Sequence, residues 1–182
     1  MTERVFDPLQ LNVEAFAKQA QDQRGEWPLA QLTRLVEATH PESHPSPADS
    51  VVWQLRGETR PARSGPHEVW LHLTAATHLS LVCQRCLQPV VTALAARRSF
   101  RFVHGETAAA ELDADCEDDV LALARSLDVR ELAEDELLLS LPLVPRHDVC
   151  PQPLVSADDP VSSERENPFA ALAALKRSGR GN

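Results

Sequence analysis

Alternation of apolar and polar positions predicts β-strands in the middle of the chain. In "SVVWQLRGE", the apolar residues Val51, Trp53 and Leu55 alternate with positions 52, 54 and 56. The same period of two recurs in "HEVWLHLTAATHLSLVC". After a short turn, "PVVTALAARRSFRFVHG" runs to the glycine at 105. The links are too short for helical crossovers, so we expect three or four antiparallel strands in a β-rich part spanning residues 50–104.

Three stretches have the apolar spacing of helices. "VEAFAKQA" at 13–20 is short, and "PLAQLTRLVEA" at 28–38 opens with a proline at the first helical position, where the missing N–H costs nothing. "DVRELAEDELLLSLP" predicts a helix over 128–141, because Asp128 is a good N-cap and Pro142 ends the pattern.

Segments rich in proline or acidic residues separate these elements. "THPESHPSPADS" at 39–50 predicts a loop, and the acidic "ETAAAELDADCEDD" at 106–119 predicts a mobile one. Residues 151–166 have the composition of a flexible linker. "NPFAALAALKRSGRGN" at 167–182 predicts a short amphipathic helix and tail, too short to be stable unless it docks. The apolar stripe that we expect to dock on a partner consists of Phe169, Leu172 and Leu175.

These patterns predict an α+β protein with a single domain over residues 1–150, in which an antiparallel sheet is packed by a few helices and followed by the flexible tail. The length of 182 residues suits one domain with tails. No apolar run approaches the roughly 20 residues that span a bilayer, and the N-terminus lacks the apolar stretch of a signal peptide. We therefore expect a cytoplasmic protein without a membrane partner, in which cysteines stay reduced.

The charge distribution is uneven. The net charge of −9 argues against simple salt-driven binding of nucleic acid. Residues 54–105 carry seven arginines and two glutamates, whereas residues 106–136 carry twelve acids and two arginines. Two alternatives follow. The segments form one basic and one acidic face, or their charges neutralise each other locally in the folded protein. Glu136 approaches the apolar side of its helix, where a carboxylate needs a partner.

Cys83 and Cys86 are spaced as in a zinc knuckle, in which a tight turn directs both thiolates at one ion. A second pair, His147 and Cys150, has the same spacing, and the four residues would form a closed structural Cys₃His site. Two alternatives stay open at this point. The CxxC could be a redox pair, although such pairs open a helix after a strand, or two packed thiols at a turn. Cys116 is expected to stand apart from the site.

Arginines interleaved with phenylalanines are candidates for RNA contact, because arginine binds phosphate and both residue types stack on bases. The candidate RNA-binding residues are Arg85, Arg97, Arg98 and Arg101. Other catalytic patterns are absent from the sequence: it has no Gly-rich phosphate loop and no GxSxG motif, and no histidine stands out as a general base. We expect a protein that is not an enzyme.

Three blocks in this order and spacing resemble a known family: "CQRCLQPV", then after an acidic stretch "EDELLLSLPLVPRHDVC", and finally "NPFAALAALKR". The chain resembles the YceD family (the DUF177 domain) of bacterial large ribosomal RNA subunit accumulation proteins, from the helix at Trp27–Pro28 to Arg177. By resemblance, Cys83, Cys86 and the Leu141–Pro145 block are signature positions.

The resemblance implies a cytoplasmic, non-enzymatic factor that supports synthesis, processing or accumulation of 23S rRNA during large-subunit biogenesis. Two partners fit such a role: rRNA, bound by the arginines, or a basic ribosomal or assembly protein, bound by residues 106–136. The competing classes are a CxxC thiol oxidoreductase and a generic protein-interaction module.

Overall fold

The structure, a computed structural model, describes residues 6–61 and 67–151. Within these ranges the chain forms five strands and four α-helices, with a 3₁₀ turn at Leu29–Gln31. In chain order they are α1 (Val13–Lys18), β1 (Asp22–Pro28), α2 (Thr33–Glu37), β2 (Ser50–Arg60), β3 (Glu68–Val82), β4 (Pro89–Val103), α3 (Glu106–Asp115), β5 (Asp119–Ala122) and α4 (Val129–Leu139). The predicted α+β class with a mainly antiparallel sheet is confirmed.

The described strands form one sheet in the order β1-β2-β3-β4-β5. The first four pair antiparallel with their neighbours, and the longest pairing joins β3 to β4, from Val69↔Phe102 to Val82↔Pro89. The β-rich part predicted for residues 50–104 is therefore confirmed as β2, β3 and β4. The β4–β5 pairing is parallel, from Phe100↔Asp119 to Val103↔Ala122.

One face of the sheet is buried and the other is open. Alternate residues of β2, β3 and β4 join α1 and α4 in a single core; examples are Leu55, Leu71, Phe100, Phe16 and Leu137. Each of these side chains is at most 3% exposed. Residues on the opposite face, among them Val52, Gln54, Ala76, Ala95 and Arg97, are exposed. The strands thus have the alternation of an antiparallel sheet that is covered on one side.

Two buried carboxylates hold α4 in place. Glu134 accepts hydrogen bonds from the backbone N–H groups of Arg34, at 2.8 Å, and Leu35, at 3.1 Å, so it satisfies donors in the first turn of α2. Glu136 pairs with Arg98 of β4, the Nε–Oε2 distance being 2.9 Å. The partner that the sequence demanded for Glu136 is therefore Arg98, and the basic and acidic segments neutralise each other at this point.

The helix predicted over residues 28–38 is wrong in its start and its length. Pro28 ends β1, and the α-helix covers Thr33–Glu37. Leu32 has φ −102° and ψ 81°, a non-helical conformation that interrupts the helical path. β1 itself was not predicted, because Trp27 is the only buried residue of its seven and the strand lacks an alternating apolar pattern.

The acidic stretch 106–119, predicted to be a mobile loop, instead contains α3 and the first residue of β5. Its alanines and glutamates favour a helix, although Ala109 is the only residue of α3 that is buried. The backbone N–H of Val120 donates to the Asp113 side chain at 3.1 Å, which joins α3 to β5. α3 links two parallel strands, β4 and β5, and β5 lies outside the β-rich part that the sequence predicted.

The chain divides into two compact units, Met1–Cys150 and Pro151–Asn182. The first contains all the elements given above. The linker predicted for residues 151–166 and the helix and tail predicted for 167–182 lie, apart from Pro151, outside the described residues, and this division of the chain stays a prediction. No helix in the described part is long and apolar enough to cross a membrane.

Gly57 of β2 has no side chain, and α1 packs in the space that a side chain at this position would need. A Cβ atom at this position would lie 2.7 Å from Phe16 Cδ1 and 2.8 Å from the Ala17 Cα, closer than real Cβ contacts. We therefore expect Gly57→Ala to lower the free energy of unfolding by about 1–3 kcal/mol, measured by urea denaturation, because α1 must shift. Thr59→Ala, an exposed change on the same strand, should stay within about 0.5 kcal/mol. An unchanged Gly57→Ala variant would contradict this packing of α1.

Candidate metal centre

The turn between β3 and β4 directs its two cysteines inward. The Cys83 N–H donates to the Gln88 carbonyl at 3.0 Å, and the Leu87 N–H donates to the Cys83 carbonyl at 2.9 Å. Leu87 has φ +61°, a left-handed conformation that reverses the chain. As a result Cys83 is fully buried and Cys86 is 6% exposed. Both sulfurs therefore face the same side of the turn.

The second pair of candidate ligands lies on the segment that follows α4. This segment is tied to the turn by two hydrogen bonds. The Gln84 N–H donates to the Pro145 carbonyl at 2.8 Å, and the His147 ring donates from Nε2 to the Pro89 carbonyl at 3.1 Å. With the proton on Nε2, the lone pair of His147 Nδ1 is free for a metal ion, and Cys150 lies buried beside it.

The ligand atoms of the four candidate residues all lie within 4.8 Å of one another. The Cys83 and Cys150 sulfurs are 3.9 Å apart, and the Cys86 sulfur is 3.5 Å from His147 Nδ1. A tetrahedral zinc ion with ordinary bond lengths separates two sulfurs by about 3.8 Å, and a sulfur from a nitrogen by about 3.5 Å. The four residues could therefore hold a metal ion in a closed site. Cys116, in the loop after α3, is not part of this group.

The electrostatics of the site suit a cation. Burial opposes ionisation of Cys83, but the backbone N–H groups of His147, Arg85 and Cys86 outweigh it and lower the pKa of this thiol to about 5. Burial raises the pKa of Cys86, and the thiols of Cys150 and Cys83 raise it further. Without an ion, a thiolate at one cysteine disfavours ionisation of its neighbours. A divalent cation removes this obstacle, because each thiol that coordinates it loses its proton.

Arg85 was a candidate for RNA contact, and it lies against the cysteine cluster. Its Nε donates to the Cys150 sulfur at 3.0 Å, and a terminal nitrogen donates to the Asp148 carbonyl at 3.4 Å. Three thiolates and one divalent cation carry one net negative charge, which this guanidinium offsets. The residue types, the distances and the charge are compatible with a bound divalent metal ion.

His40 supports the turn from the Pro-rich loop, and sequence reasoning assigned it no role. Its Nδ1 accepts the Glu42 N–H at 3.1 Å, so the proton is on Nε2, which donates to the Leu87 carbonyl at 3.1 Å. The His40 N–H also donates to the Ser80 carbonyl at 2.7 Å. A lone histidine in a loop gives no signal in the sequence, because both of its ring partners are backbone groups.

The other candidate RNA-binding arginines have different surroundings. Arg98 pairs with Glu136, and Arg101 pairs with Glu68 at 2.9 Å. Arg97 is exposed on the open face of the sheet, opposite Thr74 of β3. The structure therefore does not bring the four arginines together as one basic surface.

Comparison with known proteins gives the chain its family. A family model described as "Large ribosomal RNA subunit accumulation protein YceD" matches residues 71–176, which is more than half of the chain. The match includes both halves of the cysteine and histidine cluster. No solved structure matches the chain. The chain belongs to the YceD family, whose name states a role in the accumulation of the large ribosomal RNA.

Proposed function

We propose that this protein is a cytoplasmic, non-enzymatic assembly factor that supports synthesis, processing or accumulation of 23S rRNA, and that it acts by binding a basic ribosomal or assembly protein. Membership of the YceD family supports the rRNA role. The acidic surface formed by α3 and the residues that follow it is the observation that carries the mode of action.

This acidic surface carries seven exposed carboxylates, and the stretch from 106 to 119 contains no lysine or arginine. They are Glu106, Glu111, Asp113, Asp115, Glu117, Asp118 and Asp119. Within this set, Asp113 accepts the Val120 N–H and Asp119 lies 4.0 Å from Arg98. Farther along the predicted 106–136 region, Glu134 contacts α2 and Glu136 contacts β4, so these two carboxylates are buried inside the fold. The proposed partner-binding surface is therefore narrower than the sequence suggested. A surface of one charge attracts and orients a partner of the opposite charge.

Contact with rRNA through Arg85, Arg97, Arg98 and Arg101 stays a prediction. Three of these arginines have partners within the described residues, and this favours the acidic surface as the site for the partner. The docking proposed for the C-terminal stripe remains a second contact with the same partner. Its residues, Phe169, Leu172 and Leu175, lie outside the described part of the chain.

The proposed cofactor is one structural zinc ion held by Cys83, Cys86, His147 and Cys150. These four side chains would supply all the ligands of a tetrahedral zinc ion and would leave no position for a substrate. When bound, the ion supplies a cross-link between the β3–β4 turn and the segment after α4. That cross-link stabilises the folded state, since an unfolded chain does not present four ligands together.

A thiol oxidoreductase is the second candidate function, and the lowered pKa of Cys83 is the observation that favours it. Two observations weigh against it. Cys83 is fully buried, and its turn joins two strands instead of opening a helix. A redox thiol must be reached by its partner, so the binding function is better supported.

Metal analysis tests the zinc site. Protein purified without a His-tag should contain about one zinc per chain, and a chelator should lower its melting temperature, because the cross-link is lost. Cys150→Ser should abolish zinc binding, whereas the matched variant Cys116→Ser should retain it. Metal-free protein whose melting temperature does not respond to zinc would contradict the site.

Neutralising the acidic surface tests the partner. The triple variant Glu106→Gln, Glu111→Gln and Glu117→Gln should lose binding to purified basic large-subunit proteins, measured by calorimetry at physiological salt. In cells depleted of the native protein, it should fail to restore 23S rRNA relative to 16S rRNA.

A matched triple variant, Glu37→Gln, Glu42→Gln and Glu131→Gln, removes the same charge from other exposed positions. It should behave as the wild type in both assays. Equal behaviour of the two triple variants would contradict the assignment of this surface. Unchanged 23S rRNA levels in cells lacking the protein would contradict the proposed function itself.

Alkylation rates separate the binding function from the oxidoreductase. In the folded protein near neutral pH, iodoacetamide should modify the partly exposed Cys116 first, and Cys116→Ser should remove this fast reaction. Cys83 should react slowly because it is buried. Fast modification of Cys83, with a disulfide that cycles in dithiothreitol, would instead establish a redox pair.

A further inference from the structure

A row of polar side chains crosses the open face of the sheet. Arg24 of β1 pairs with Gln54 of β2, Gln54 with Thr74 of β3, and Thr74 with Arg97 of β4. Neighbouring strands are about 4.8 Å apart, so the α-carbons of Arg24 and Arg97 are separated by roughly 14 Å. Both arginines are exposed. Two cations therefore face solvent from opposite ends of one row.

A cavity of about 440 Å³ lies between these two arginines. The next row of the register supplies small side chains to its lining: Val52, Ala76 and Ala95. A second hollow of about 310 Å³ shares Val52 and Ala76 with the first and extends to His78. The first cavity is of a size that accommodates small organic ligands, and a nucleotide falls in this class.

The arginines of this face are available to a ligand. Arg24, Arg56 and Arg97 form no ion pair within the described residues, in contrast to Arg34, Arg60, Arg98 and Arg101 of the same part of the chain. The acids on the face have other hydrogen-bond partners: Asp22 accepts from the Gln54 amide, and Glu26 accepts from the Ser50 hydroxyl. A polyanion is the ligand that complements three guanidinium groups.

We propose that the open face of the sheet binds single-stranded RNA, with Arg24 and Arg97 on two phosphates of one strand and a base over Ala76 and Ala95. Guanidinium planes also stack on bases, which suits a face that has small side chains between its arginines. The Gln54 amide nitrogen is used by Asp22, so its oxygen remains an acceptor for a base or a 2′-hydroxyl.

This inference rests on the proposed function and deepens it, because it gives the protein a second contact. The acidic surface holds a basic protein, and the open face holds the RNA on which that protein is placed. At physiological salt the Debye length is about 8 Å, so exposed acids farther away than this oppose RNA binding only weakly. The seven acids of the acidic surface lie on α3, β5 and the loop between them, and none of these seven is on β1, β2 or β3, which carry most of the row. Asp22 and Glu26 of β1 are also exposed on the open face, and they reduce its positive charge beside Arg24.

The test uses the full chain and a fluorescein-labelled single-stranded RNA of mixed sequence, about 12 nucleotides long, in anisotropy titrations. The double variant Arg24→Ala and Arg97→Ala should bind about tenfold more weakly. Between about 50 and 200 mM salt, the slope of log K against log salt should fall by about 1.4, because two phosphate contacts are lost. The matched variant Arg125→Ala and Arg146→Ala removes two exposed arginines outside the sheet and should leave affinity and slope unchanged.

A third variant separates the cavity from the charges around it. Ala95→Glu places a carboxylate in the cavity at an exposed position, and it should abolish RNA binding while the melting temperature stays near that of the wild type. No RNA binding by the wild type, or equal losses in the two arginine variants, would overturn the inference.

The cellular assay distinguishes this inference from the proposed function. If the Arg24→Ala and Arg97→Ala variant restores 23S rRNA as well as the wild type does, the RNA site is overturned and the proposed function stands. If the wild type itself does not restore 23S rRNA, the proposed function fails, and the anisotropy result alone decides the RNA site.

Discussion

The pairing of β3 with β4 is the interaction on which the rest of the structure depends. Its register runs without a break from Val69↔Phe102 to Val82↔Pro89. A hairpin alone is only marginally stable in water, so this one needs the apolar cover of α1 and α4 on one face. Its turn carries the first two cysteines, and its outer edges accept β2 and β5. The candidate metal centre, the open face and the acidic surface are thus all positioned relative to one hairpin.

Buried charge then fixes α4 relative to that hairpin. Glu134 reaches two backbone donors of α2, and Glu136 reaches Arg98 of β4, so the rotation of α4 about its axis is set from two sides. Both carboxylates are buried, whereas Arg34 and Arg98 are nearly half exposed, so removing a donor leaves a largely buried carboxylate without its partner. Because α4 is fixed in this way, the segment after Ser140 leaves it toward the cysteine turn, and His147 arrives beside Pro89.

The sequence predicted what depends on local pattern. Alternation identified β2, β3 and β4, and Asp128 identified the start of α4, where it does accept the Arg130 and Glu131 N–H groups. The spacing of Cys83 and Cys86, matched by His147 and Cys150, identified four candidate ligands that the fold brings together.

Features that depend on long-range contacts were beyond the sequence. β1 is polar and pairs with the edge of β2, and α3 buries only Ala109, so neither element has the apolar pattern by which a strand or helix is recognised. Arg98 and Glu136 are 38 residues apart in the sequence. Nothing near either residue therefore indicated that the two form an ion pair. His40 contacts backbone atoms, which leave no trace in side-chain composition.

The polar character of β1 has a consequence for aggregation. An edge strand presents unpaired N–H and C=O groups, which can recruit a strand from another molecule and start an ordered aggregate. Here the edge carries Asp22, Arg24 and Glu26 at alternate, solvent-facing positions, and it ends in Pro28, which has no N–H to donate. Charges of this kind oppose stacking of one sheet onto another. The charged residues and the proline of β1 are therefore the reason that the strand was not predicted. They also keep the sheet from adding a further strand at this edge.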